Sequence, residues 1–247
     1  MKLQQTDKKV ALVTGGSGGI GSELARRLAA KGMAVVLTYA TAEREANDVV
    51  ASIKANGGEA NAIRADISQP DDIAALFCFV KDRYEQLDYL INNAGVIAPG
   101  PIAMVTNELY ERVFDVNVRG ALFILQEAAN LLRNGGRIIN ISSTMVAAPI
   151  AGSALYAASK AALELFSRVL AKEVGARDIT VNSLRLGATI PGMFAKAPPE
   201  RQAAFAAASP FNRLGTPKDV ADVVTFLLSE GGRWITGQTI TVDGGAT

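Results

Sequence analysis

Val10-Ala11-Leu12-Val13-Thr14-Gly15-Gly16-Ser17-Gly18-Gly19-Ile20-Gly21 is the stretch whose reading decides the fold. A short apolar run leads into a glycine-rich loop, and a helix-period segment over 20–30 follows. An almost wholly apolar run suits a strand covered on both faces. Glycines at its end permit a tight turn and let the backbone approach a pyrophosphate held at the helix N-terminus. The spacing Gly15, Gly19, Gly21 differs from the usual dinucleotide fingerprint, whose first gap is shorter. A structural turn alone explains many such clusters, but the place of this one after the first strand favours binding.

Outward from the loop, β-rich runs alternate with longer helical segments. The strand candidates are 10–14, 34–39, 59–64, 87–91, 136–141, 179–184 and 239–242; the helix candidates include 20–30, 71–84, 153–173 and 217–229. Asp71 and Asp72 after Pro70, and Lys218-Asp219 after Pro217, fit helix starts. Alternation of this length implies right-handed crossovers and a doubly wound, Rossmann-like α/β architecture, a parallel sheet of about seven strands with helices on both faces. No linker or low-complexity tract divides the chain, so one domain is expected over 1–247. Residues 188–210, rich in Ala and Pro, are read as a substrate lid with one or two short helices in its Ala-rich middle.

Composition excludes several function classes. Apolar residues make up 49% and the formal net charge is +1, dispersed along the chain, which gives no reason to expect nucleic acid or a membrane surface as partner. A small-molecule substrate is the default. Residues 1–9 are polar and lack the apolar segment of a signal peptide, and no stretch approaches the ~18 apolar residues of a membrane helix, so a cytoplasmic location is expected. The single cysteine, Cys78, lies in Leu76-Phe77-Cys78-Phe79-Val80 and is read as a small buried hydrophobe. Histidine is absent, which removes Ser-His-Asp and Cys-His hydrolase arrangements and histidine-based zinc sites; no metal is expected. Proton transfer near neutral pH is left to carboxylate, tyrosine, lysine or water.

Tyr156 and Lys160 are four apart in a helical segment and share a face. A free tyrosine, with a pKa of ~10, is a poor acid or base at neutral pH. A nearby ammonium stabilises the phenolate and lowers that pKa. Ser143 ends the apolar strand Arg137-Ile138-Ile139-Asn140-Ile141-Ser142-Ser143, on the sheet rim where ligands bind. Its hydroxyl can donate to a substrate oxygen. At the end of the second strand, Leu37-Thr38-Tyr39-Ala40-Thr41 has no acid until Glu43. Without a carboxylate there, a 2′-phosphate meets no repulsion, and Arg44 supplies a positive partner; against this, Gly18 stands where a basic residue would help. NADP is favoured, with NAD as the alternative.

Together these features resemble the short-chain dehydrogenase/reductase family, over essentially the whole chain from Val10 to Gly245. Asn92-Asn93-Ala94-Gly95 resembles its fourth-strand motif, and Asn117 its catalytic asparagine. Ser143, Tyr156 and Lys160 match the other catalytic positions, and Arg213-Leu214-Gly215-Thr216-Pro217, Ile235-Thr236-Gly237-Gln238 and Val242-Asp243-Gly244-Gly245 complete the pattern. The resemblance implies that Tyr156 is general acid or base and that Lys160 holds the nicotinamide ribose and lowers the Tyr156 pKa. It implies that Ser143 polarises the carbonyl and that Asn117 holds a relay water. Gly15, Ser17, Gly18, Gly19, Ile20, Gly21, Tyr39, Ala40, Arg44, Asp66, Ile67, Asn93, Ala94, Gly95, Gly187 and Thr189 are the expected cofactor contacts, besides Tyr156 and Lys160, with Asp66-Ile67 at the adenine.

One departure is plain. Leu186 replaces the family's proline in Leu186-Gly187-Ala188-Thr189-Ile190-Pro191-Gly192, and Pro191 takes a threonine's usual place. A hydroxyl contact from position 191 is lost, though the Thr189 backbone can still meet the carboxamide.

Many members with these features are similar to 3-oxoacyl-carrier-protein reductases. An acidic carrier would need basic residues beside the entrance, for which Arg133, Arg137 and Arg177 are candidates. Met193-Phe194-Ala195-Lys196-Ala197 and Phe205-Ala206-Ala207-Ala208 suggest a mainly apolar pocket, and a small ketone or sugar-derived substrate stays open. A non-catalytic NAD(P)-binding sensor and a related lyase or dehalogenase are the competing readings. The helices around 103–132 and 153–173 resemble those that pair subunits in family tetramers, so a homotetramer is expected.

Overall fold

Seven parallel strands form one sheet in the computed structural model, which describes Lys8–Thr247. The polar start read over 1–9 therefore lies, up to Asp7, outside the described residues. The strands are β1 Val10–Val13, β2 Ala34–Tyr39, β3 Glu59–Arg64, β4 Leu87–Asn92, β5 Leu132–Ser143, β6 Thr180–Leu186 and β7 Thr239–Val242, in the order β3-β2-β1-β4-β5-β6-β7. The helices are α1 Gly19–Ala30, α2 Glu43–Ala55, α3 Pro70–Tyr84, α4 Asn107–Phe114, α5 Ala121–Leu131, α6 Ala154–Glu173, α7 Pro199–Ala208 and α8 Pro217–Leu228.

Successive strand side chains point to opposite faces, and the apolar runs supply both. Ala11, Val13, Val35, Leu37, Ile139 and Ile141 pack against α1, α2 and α8. Val10, Leu12, Ala34, Val36 and Ile138 pack against α3, α5 and α6. This is the doubly wound arrangement that the alternation predicts. The strand order reverses between β1 and β4, and that switch point opens a crevice at the strands' carboxyl ends.

Three expectations are corrected. The helix read around 103–132 is in pieces: α4 and α5 are joined by a π-helical turn, Asp115–Gly120, and Leu132 already begins β5. Gly120 explains part of this, since a Cβ there would lie 2.1 Å from the Ile67 carbonyl oxygen. Cys78 is exposed, because the helical period of α3 buries Ile73, Leu76, Phe77 and Val80 and turns position 78 outward. Third, the basic residues proposed for an acidic carrier sit at the amino ends of β5 and β6, away from the crevice. Their charges are occupied there: Arg133 pairs with Asp88 at 2.9 Å, Arg137 is buried on the carbonyls of Gly135, Gly136 and Asp178, and Arg177 binds the carbonyls of Ala129 and Leu132.

Residues 188–210 hold a 3-10 turn, Met193–Lys196, and α7, in line with the short helices expected. Among the described residues no helix is long and apolar enough to cross a membrane.

Candidate active site

The glycine loop is built around Thr14. Its hydroxyl accepts from the backbone N–H groups of Asn93 and Ala94 at 2.9 and 3.0 Å, tying the ends of β1 and β4 together. The Asn93 amide donates back to the carbonyls of Thr14 and Gly15 at 2.9 and 3.0 Å. Asn93 thus clamps the loop, while Ala94 and Gly95 continue along the crevice. Gly15 has φ +65° and Gly19 φ +52°, where L side chains are strained. Gly21 is needed for a different reason: its Cβ would lie 2.2 Å from the Gly15 carbonyl oxygen. Gly18, at φ −162°, is extended, and a Cβ there would meet nothing within 4 Å. Ser17 is half-buried beside it, and Ile20 packs on the core. No side chain caps α1 and its first turn holds no acid, which leaves its first backbone N–H groups directed at the crevice.

Tyr39 closes β2, and Ala40 and Arg44 are exposed just beyond it. Burial raises the Tyr39 pKa, Glu43 adds to the rise, and Arg64 opposes it. Arg64 is a cation that the sequence reading missed. It lies opposite Tyr39 in the β2–β3 register, so the signal was its place at the end of the neighbouring strand. Asp66 accepts from the N–H and hydroxyl of Ser68 at 3.0 and 2.8 Å through one carboxylate oxygen. Ile67 is buried, its carbonyl against Gly120.

Tyr156 and Lys160 lie on the sheet-facing side of α6, 7% and 2% exposed. The Lys160 ammonium donates to the Ile141 carbonyl at 2.8 Å and stands 5.8 Å from the Tyr156 ring centre. Burial lowers the Lys160 pKa to about 8. Burial pushes the Tyr156 pKa up to about 12, and Ser143 beside it partly offsets the rise. The physical reason is desolvation, which disfavours the charged form of both groups. Ser143 is buried at the end of β5 and also accepts from the Met145 N–H at 3.3 Å.

Asn117 comes from the π-helical turn and is fully buried. Its Oδ1 accepts from the Val96 N–H at 2.9 Å, and its Nδ2 donates to the Val96 carbonyl and the Ser159 hydroxyl at 2.8 and 3.0 Å. Gly95 fills the space between, where a Cβ would be 3.1 Å from Lys160 Nζ and 3.2 Å from Asn117 Oδ1. Below this group, Glu164 of α6 accepts from Ser142 at 2.7 Å and holds Arg185 of β6 through both oxygens at 2.8 and 2.7 Å. That buried ion pair fixes α6 against the strand end that carries Ser143.

Beyond β6, the Gly187 N–H donates to the Val242 carbonyl at 3.1 Å, and the Thr189 hydroxyl turns back onto the Gly187 carbonyl at 3.0 Å. The chain then crosses the glycine loop, so that a Cβ on Gly19 would be 3.1 Å from the Gly192 Cα. A cavity of about 310 Å³ adjoins the site, lined by Ile97, Pro99, Met145, Ile150, Ser153 and Arg201 among others. Its apolar walls come from the chain after β4 and β5. Phe194 and Phe205 of the expected lid are not among its lining residues; they meet each other with tilted rings, centroids 4.9 Å apart.

Residues 15–247 match a family model described as enoyl-(acyl carrier protein) reductase. The chain is 41% identical to a versicolorin reductase of Emericella nidulans, over 97% of this chain and 96% of that protein. Its structure resembles that of the angucycline C-6 ketoreductase LanV with bound NADP, at TM-score 0.92 and 39% identity over 96% and 95% of the two chains. It is equally similar, at TM-score 0.92 and 40% identity over 96% and 97%, to a short chain dehydrogenase from Burkholderia cenocepacia in complex with NADP.

Proposed function

Because the chain belongs to the short-chain dehydrogenase/reductase family, we propose that it reduces a ketone with NADPH, or runs the reverse oxidation of a secondary alcohol, with Tyr156 moving the proton. The observation that carries this reading is the pairing of buried Tyr156 and Lys160 on α6, with Lys160 Nζ 5.8 Å from the Tyr156 ring centre, beside buried Ser143 at the carboxyl end of β5.

The residues present fit a dinucleotide. The uncapped first turn of α1 suits a pyrophosphate, and the glycines that a Cβ would jam keep the loop backbone close to it. With no acid from Leu37 to Ala42 and Arg44 beside the β2 end, a 2′-phosphate is favoured over a bare ribose, while Glu43, acting on Tyr39, opposes it. The bound cofactor supplies the hydride. Ser143 donates to the substrate carbonyl, and the Tyr156 phenol gives its proton to the oxygen as it gains charge. Lys160, anchored on the Ile141 carbonyl, places an ammonium beside the phenolate that results. Asn117 has committed both amide donors, so a relay water there would rest on a free lone pair of Oδ1 or on its main-chain carbonyl.

Residues 188–210 serve as the lid, entering across the glycine loop at Gly192. The whole chain works as one domain in the cytoplasm, assembled as a homotetramer through α5 and α6. Kinship with a versicolorin reductase and an angucycline C-6 ketoreductase supports a ketone as the substrate. The test is a panel of aryl and polycyclic ketones with NADPH and with NADH, followed by cofactor absorbance. Turnover with NADPH at the higher kcat/KM is expected. Tight cofactor binding with no ketone reduced in a single turnover would favour a sensor instead.

A further inference from the structure

We propose that Arg201 is an anion-recognition residue of the substrate cavity, so that the preferred ketones carry a carboxylate; this rests on the oxidoreductase reading above. The cavity walls are apolar at Ile97, Pro99, Met145, Ile150 and Ala151, and Arg201 is the charged side chain among its lining residues. Among the described residues no carboxylate lines the cavity. Elsewhere the arginines near this end of the fold are neutralised, Arg185 by Glu164 at 2.7 Å and Arg213 by Asp219 at 2.8 Å. Among the described residues Arg201 forms no such ion pair; its guanidinium lies 5.8 Å over the Phe205 ring, which in turn packs on Phe194. A cation held on an aromatic face is oriented while keeping its charge and donors available.

Its place in α7 points the same way. Arg201 is in the first turn, where the helix dipole favours acids and disfavours a cation. The contact with Phe205, one turn on, holds the exposed guanidinium at that end of the helix despite the dipole, where an anion in the cavity can meet it. A substrate with its flat apolar body between the residues 97–100 and 145–151 would thus be recognised by its acid.

The matched probes are 4-acetylbenzoate and its methyl ester, which share one ketone and differ in charge. The readout is the acid-to-ester ratio of kcat/KM with NADPH. In Arg201→Gln this ratio should fall about tenfold, the size of one charge-assisted hydrogen bond, and Arg201→Lys should recover part of it. Added salt should weaken only the acid in the wild type. A ratio unchanged within about twofold in Arg201→Gln would overturn the proposal. Quenching of bound NADPH fluorescence by 4-isopropylbenzoate, which has the acid but no carbonyl to reduce, gives the same answer without turnover: equal affinity in wild type and Arg201→Gln sinks the Arg201 assignment. Salt-sensitive binding with no NADPH oxidation by either ketone would leave that assignment standing and overturn the hydride-transfer reading.

Discussion

Burial acts in opposite senses on the two ends of the Tyr156–Lys160 pair. It holds the phenol protonated up to about pH 12 and lets the ammonium lose its proton near pH 8. For reduction, Tyr156 must be protonated and Lys160 charged. The phenol meets its condition throughout the working range, so Lys160 sets the alkaline limb, and reductive kcat/KM should fall as pH rises through about 8. A rate that stays level from about pH 7 to about pH 10 would remove Lys160 from that role. At the other end of the crevice, Gly18 has an extended backbone and open space around its missing Cβ. Gly18→Arg should therefore fold normally and place a cation near the 2′-phosphate. The expected outcome is a rise of roughly tenfold in the preference for NADPH over NADH, read from fluorescence titrations. An unchanged preference would place the phosphate elsewhere.

At the scale of elements, the π-helical turn between α4 and α5 does the positioning. A π turn inside an α-helix often marks a functional site, and this one delivers Asn117 to Val96 and Ser159. Its end is pinned by the approach of Gly120 to the Ile67 carbonyl. Gly120→Ala should cost about 1–3 kcal/mol by overpacking, and because the strain falls on the turn, kcat should drop along with the thermal midpoint. Normal stability and rate would mean that the turn tolerates displacement. Asn117 could be named from the resemblance, but the turn itself was not legible, because an extra residue in one turn leaves the apolar pattern on either side intact. The strands were legible for the converse reason: β2 is a continuous apolar run and β3 a short half-polar one, each with clear breaks, and their observed limits are those expected. Ser143, Tyr156 and Lys160 could be placed together from strand-end position and helical spacing. The cavity wall could not, since Ile97, Met145 and Ile150 come from separate loops that only the fold assembles. Cys78 and the arginines of β5 failed because apolar neighbours and like charges in sequence say little about which way a side chain turns.

For the whole molecule, Leu122 and Phe123 of α5 and Leu165 and Val169 of α6 remain substantially exposed. Apolar side chains grouped on two neighbouring helices fit a subunit contact. The proposed tetramer should appear as four chain masses in light scattering, and Leu165→Glu should reduce it to smaller species; a wild-type monomer would contradict the assignment. The account as a whole depends on one proton. Single-turnover oxidation of NADPH by an aryl ketone, measured for wild type and Tyr156→Phe after NADPH affinity has been matched, tests it most directly. The variant should bind NADPH within about twofold of wild type and lose at least about a hundredfold in rate. A Tyr156→Phe protein that transferred hydride at near the wild-type rate would contradict the central claim.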